Sequence, residues 1–282
     1  MIRTEQTDLP VGHQVHVGEY NRDSHAIVHF QPIEHGQPAI TLAVVAHGMW
    51  SIPAGKANKI AADIVVDTFV EKFTEATSPN IQAIFSEVVA AASHRIRQYR
   101  EAHLEIQAVI ASCAATVIMN SRLYTVSVGN CRIYFLRKGQ LRQISTDHTT
   151  IQMMIDREYA TANELENGHW DGFPFTRCLG GEPDMISQYE VPDFRLRLHN
   201  GESDKQAQSN QGLLLTHGDQ IMLCTDGLHG SINTLARLKN ESIRKAWLSQ
   251  SHPQQTADAL IILAKQTIGE HWDITAIVMK VP

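Results

Sequence analysis

Three apolar, strand-like runs, 113–119, 122–128 and 131–137, follow one another with only tight turns between them. Lys138-Gly139 then turns the chain into a fourth run, 140–144. Strands joined this tightly pair antiparallel, because a parallel neighbour needs a crossover of a dozen or more residues. Ahead of this meander the apolar period changes. Ile60, Ile64, Val65, Phe69 and Phe73 recur at helical spacing and predict a helix over 54–76. Ser78-Pro79 offers an N-cap and first-turn proline for a second helix, whose stripe is Ile81, Ile84, Phe85, Val88, Val89, Ala92 and Ile96. Arg95, Arg97 and Arg100 on its other face read as solvated surface. Further strands are expected at 13–18, 25–30, 42–46, 187–198, 213–224 and 274–281, and helices at 148–157, 233–249 and 253–268. Runs of strands broken by helices, without βαβ alternation, predict an α+β fold.

Several function classes are excluded by composition. The chain has 282 residues, 43% of them apolar, which is enough for a core; its formal charge is −6 and it has no basic run, so no nucleic-acid surface is expected. No run approaches the length of a membrane span, and residues 1–12 form a polar tail without the apolar stretch of a signal peptide. A cytoplasmic monomer is the expectation, with residues 13–282 as one domain. Cys113, Cys131, Cys178 and Cys224 lack the paired spacing of a zinc site and read as buried thiols. The tract from His199 to Gly212 is polar and expected to be a solvated insertion without regular structure.

Chemistry enters at Leu42-Ala43-Val44-Val45-Ala46-His47-Gly48, where an apolar strand runs into a polar residue at an expected turn. On its own this is equally an ordinary strand-to-helix turn. Downstream lie Val128-Gly129-Asn130-Cys131-Arg132, Thr146-Asp147-His148, Thr176-Arg177-Cys178-Leu179-Gly180-Gly181, Thr225-Asp226-Gly227 and Asp273-Ile274-Thr275. In this order, and with Asn21 and Asp23 in the first turn, the set resembles the metal-dependent protein serine/threonine phosphatases of the PPM (type-2C) family from about residue 13 to the end. The resemblance implies a β-sandwich of two largely antiparallel sheets flanked by helix pairs, a flap over Asn163 to Phe175, and phosphoprotein hydrolysis by two Mg²⁺ or Mn²⁺ ions.

The same resemblance exposes the departures. Asp23, Gly48 and Asp226 match the family's metal ligands, but His47 stands where an aspartate bridges the two ions. A neutral imidazole has one lone pair for a metal and suits Zn²⁺ or Ni²⁺ better than Mg²⁺. Trp272 occupies the place of the terminal metal-binding aspartate, with Asp273 one position later; a one-residue shift would make Asp273 the ligand. Asn130 replaces the aspartate of a third ion, Gly18 replaces an arginine, and Arg22 replaces a glutamate or glutamine. The expectation is a pseudophosphatase with impaired metal binding, acting as a regulatory or phosphoprotein-binding module. The alternative is a phosphatase with an altered, single-metal centre holding Zn²⁺ or Ni²⁺ through His47 and Asp226, with Asp23 or Asp273 as a further ligand. Arg22 and His47, with Arg177 near the same face, are candidate phosphate-binding groups; collapse into internal ion pairs with Asp23 and Asp226 is the competing outcome.

Overall fold

Alternation along a single strand sets the layering. In the run around Val44, the side chains of Leu42, Val44 and Ala46 join one apolar cluster, and those of Ala43 and Val45 join another. A strand whose two faces are both apolar must lie between two layers. The computed structural model describes residues 2–4, 9–31, 38–52, 56–78, 80–159, 161, 175–181, 191–199, 203–209, 211–230 and 237–282.

Eleven strands among these residues form two antiparallel sheets. They are β1 (Ile2–Thr4), β2 (Val11–His16), β3 (Asp23–Gln31), β4 (Ile40–Ile52), β5 (Ala108–Met119), β6 (Arg122–Val128), β7 (Arg132–Arg137), β8 (Gln140–Gln143), β9 (Leu213–Leu214), β10 (Gln220–Cys224) and β11 (Ile274–Lys280). One sheet has the order β1-β3-β4-β5-β6-β9 and the other β2-β11-β10-β7-β8. Helices α1 (Lys56–Glu75) and α2 (Ile81–Ala102) cover the first sheet through Phe69, Phe73, Phe85 and Ile96. Helices α6 (Asn240–Leu248) and α7 (Pro253–Ile268) cover the second through Trp247, Leu260 and Ile261. Between the sheets lies a third cluster, including Ala43, Val45, Ile133, Leu223 and Ile277. The shorter helices are α3 (Thr150–Asp156), α4 (Asp204–Ser209) and α5 (Asp226–His229). This is the α+β sandwich with a helix pair on each outer face.

The structure corrects the sequence reading in several places. The 213–224 run is two strands in different sheets, because Thr216–Asp219 makes a turn with Gly218 at φ +85°. Asp219 fixes that turn by accepting from Thr216 N at 2.7 Å and from Arg137 at 2.8 and 2.6 Å. His47-Gly48 is not a turn: β4 continues to Ile52 because β5 is long enough to pair His47 with Ser112 and Gly48 with Ala111. The meander is split as well, with β5 and β6 in one sheet and β7 and β8 in the other. Helix α2 is capped by Asn80, whose side chain accepts from Ala83 N at 3.1 Å, and not by Ser78; Pro79 lies outside the described residues. Arg95 is not merely solvated; it makes a two-pronged ion pair with Glu71 of α1 at 2.8 and 2.6 Å.

Residues 2–4 of the expected tail form β1 on β3, and the expected insertion contains α4, where Ala207 is buried and its carbonyl accepts from Leu196 N. Of the expected 187–198 strand, the described part shows a bridge at Asp193 to Ser127. The expected helix at 233–249 begins at Asn240, 237–239 being non-helical and 231–236 lying outside the described residues, as does 163–174 of the expected flap. All four cysteines are free and buried, and burial pushes the thiols of Cys113 and Cys178 up to about 12.

Candidate functional site

The strand alternation that builds the sandwich also builds the site. Ala43 and Val45 face the opposite sheet, so His47, two further on, does too. On β3 the same face carries Ile27, His25 and Asp23, and Asp23 sits directly across from His47 in the register. From the other sheet, Leu223 and Ile277 face inward, and Thr225 and Thr275 continue those two faces. The polar ends of four apolar strands, two from each sheet, thus meet between the sheets.

Asp23 is the hub. One carboxylate oxygen accepts from His47 Nδ1 at 2.6 Å; the other accepts from the hydroxyls of Thr225 at 2.7 Å and Thr275 at 2.8 Å. Thr225 Oγ1 in turn accepts from Thr275 N at 3.0 Å. The other face of the imidazole looks toward Asp226, with Nε2 3.7 Å from Oδ1. Asp226 Oδ2 accepts from Asn130 Nδ2 at 3.1 Å, while the buried Oδ1 of Asn130 has no donor. Burial opposes a charge on His47, but Asp226 and Asp23 together outweigh it and hold the imidazole above its ordinary pKa. The ring thus lies between two carboxylates that favour its protonated form.

Two close backbone approaches depend on glycine. A Cβ at Gly48 would lie 1.7 Å from the carbonyl oxygen of Asn58 in α1, and one at Gly227 would lie 1.9 Å from that of Asp273. The turn bearing Asn130 is held by His148, whose Nδ1 accepts from Gly129 N at 3.0 Å and whose Nε2 donates to Asp193 at 2.8 Å. Burial lowers the His148 pKa, which Asp193 offsets only in part.

Asp273 has another task. Its carboxylate accepts from the backbone N–H groups of Gly18, Asn21 and Arg22 at 2.8, 3.1 and 2.9 Å, and from Arg22 Nε at 3.2 Å. It caps the turn before β3, in which Asn21 adopts φ 47°. The Arg22 guanidinium lies over the rings of Tyr20 and Trp272, 5.1 and 5.8 Å from their centroids. Arg22 and His47 are therefore each engaged by a carboxylate. Arg177 donates to the carbonyl of Val191 and belongs with the 191–195 segment. Sequence reasoning assigned no role to Thr225 or Thr275; the signal that finds them is inward parity at the ends of apolar strands.

The arrangement bears directly on metals. A dinuclear Mg²⁺ or Mn²⁺ centre needs several free carboxylate oxygens and one carboxylate that bridges. Here Asp23 takes three hydrogen bonds, Asp273 takes four, and the bridging place is an imidazole. These residues do not fit such a pair. Among the described residues no three His, Cys, Asp or Glu side chains converge as a metal-binding group.

Known proteins place this chain in a family. The model of the protein phosphatase 2C family matches residues 12–264. The serine/threonine phosphatase stp of Listeria welshimeri is 24% identical over 240 residues, covering 85% of this chain and 84% of that protein. Among solved structures, the serine/threonine phosphatase of S. agalactiae superposes with a TM-score of 0.76 at 18% identity, covering 97% of this chain and 100% of that one. The catalytic domain of the phosphatase PstP, solved in complex with two manganese ions, superposes with a TM-score of 0.69 at 22% identity, covering 96% and 97%. With a family model spanning nearly the whole sandwich, this chain belongs to the protein phosphatase 2C family.

Proposed function

We propose that the chain is a pseudophosphatase of this family: a fold that has given up two-metal hydrolysis and acts in the cytoplasm, as a monomer, by binding a phosphoprotein partner. One observation carries the reading. His47 donates to Asp23 at 2.6 Å while Thr225 and Thr275 bind the second oxygen, so an internal ion pair occupies the oxygens that would hold the ions. Removing either partner would leave a buried charge, which makes the pair self-maintaining. No helix among the described residues is long and apolar enough to cross a membrane. Arg22, packed over Tyr20 and Trp272 beside Asp273, supplies a cationic and aromatic surface for the partner.

The test is repair. Wild type is expected to show negligible Mn²⁺-dependent hydrolysis of an aryl phosphate, and His47→Asp with Trp272→Asp to regain part of it. Each single variant should recover far less, since ligands of one site act as a unit. A wild type already as active as the double variant refutes the proposal.

A second reading is supported by the 3.7 Å between His47 Nε2 and Asp226 Oδ1. Two ligands of one zinc-like ion, each at about 2.0–2.2 Å, stand about 3.3–3.6 Å apart, a little closer than this pair. Asp23 on Nδ1 would then orient the imidazole from behind, as second-shell carboxylates do. This single-ion hydrolase predicts Zn²⁺-dependent activity lost in His47→Ala. Metal-independent inactivity of wild type eliminates it.

A further inference from the structure

A different pair of histidines lies at the open edge of the sandwich. Strand β2 ends the second sheet, and its alternation is unambiguous: Val11 joins the cluster between the sheets, whereas a Cβ on Gly12 would run into the backbone of Gln254 in α7. His13 therefore faces inward with Val11. On β3, in the other sheet, His25 faces inward between Asp23 and Ile27. The two imidazoles meet across the gap with ring centroids 5.1 Å apart and planes tilted by 41°.

We propose that His13 and His25 form a binding site for a divalent transition-metal ion that staples the two sheets together. The centroid spacing admits the chemistry. An imidazole nitrogen binds such an ion at about 2.0–2.1 Å, which puts the ring centroid about 3.2 Å from the metal. Two imidazoles at a tetrahedral angle then have centroids about 5.2 Å apart. The structure has 5.1 Å. The backbone is pre-set for this: Gln254 accepts from His13 N at 3.2 Å and donates to His13 O at 2.9 Å, fixing the strand that carries the first ring. His13 is exposed, so an ion can enter, and with two imidazoles as protein ligands the remaining positions of an ion bound there would be left to solvent. Of the charges around His25, Asp23 favours a cation, and Lys59 opposes it. Imidazole donors select Cu²⁺, Ni²⁺ and Zn²⁺ over Mg²⁺ and Ca²⁺.

The site adjoins the His47 cluster, since Asp23 lies two residues from His25 on the same face of β3, and the experiment tells the two apart. Zn²⁺, Ni²⁺ and Cu²⁺ are titrated calorimetrically into the full chain at about pH 7.5, and the thermal midpoint is followed with and without Zn²⁺. Wild type should bind one ion at this site, Cu²⁺ most tightly by the usual order of affinities, and Zn²⁺ should raise the midpoint because only the folded chain presents the pair. His13→Ala and His25→Ala should each abolish that binding step and the shift. The exposed His94→Ala should retain both. Binding that survives both His13→Ala and His25→Ala, or no binding by wild type, overturns the proposal. His13→Ala alone suffices if His25→Ala fails to fold.

Discussion

Two histidines of equal burial sit on either side of Asn130, and they behave in opposite ways. His47 is 4% exposed and His229 is 3% exposed. His229 Nε2 donates to the Asn130 carbonyl at 3.3 Å, and Asn130 Nδ2 reaches back to Asp226 beside His47. Burial disfavours charge on both rings. Around His229 the next influence is the Arg132 guanidinium, itself paired with Asp147 at 2.6 Å, and the imidazole falls to about 4. Around His47 the next influences are carboxylates, and the pKa rises. Burial is common to both; the sign is decided by the nearest charge. The Arg132 cluster already contains its cation and keeps its histidine neutral. The Asp23 cluster has none unless His47 supplies it.

The largest expected effect breaks the cluster that already has its cation. Arg132→Met should cost about 3 kcal/mol in urea unfolding, because it leaves the largely buried Asp147 carboxylate with Gln143 but no cation. Adding Asp147→Leu should recover much of that loss; no recovery would mean that Arg132 acts through Tyr134 and not through the ion pair. Next comes the pH response of His229. Its folded pKa of about 4 lies below the ordinary 6.5, so the unfolded chain takes up a proton first as pH falls. Stability attributable to it is lost between those two values, on the order of 3 kcal/mol when complete. His229→Gln should flatten the stability profile between about pH 7 and about pH 4.5, and an unchanged slope would show that the ring is charged in the fold.

The smallest effect has the opposite sign. His47, raised above 6.5, contributes stability that is fully present below that value and lost as pH rises through its folded pKa. His47→Gln should therefore cost most, about 1–3 kcal/mol, in mild acid, with the gap to wild type closing toward alkaline pH. A gap that widens with pH would make His47 neutral and erase the contrast between the two histidines.

Much of the fold is legible in the sequence because period carries layering. The stripe through Phe69 and Phe73 and the apolar runs at 42–46, 122–128 and 274–280 each require a covered face, and they have one. The 213–224 run shows the limit. Its hydrophobicity is continuous in purpose but not in space, since Asp219 and its partner Arg137, 82 residues away, decide where the chain changes sheets. The site divides similarly. That His47 replaces an oxygen ligand is visible from the motif, and Asp23 directly opposite follows from the register. That Asp273 caps the 18–22 turn is not visible, because its donors are backbone N–H groups more than 250 residues earlier, which no side-chain pattern announces.

The pairing of β2 with β11 sets a schedule for folding. The order β2-β11-β10 means that the first strand of the second sheet has no ladder partner until the last strand exists. Thr275 reaches Asp23 across 252 residues of chain. At a synthesis rate of about 5–20 residues per second, the amino-terminal strand waits on the order of 13 to 50 seconds for its neighbour. The sheet beneath α1 and α2 is under no such constraint through β3, β4, β5 and β6, whose pairings are sequential. A nascent chain lacking β11 would thus leave Val11–His16 unpaired and the edge of β10 open.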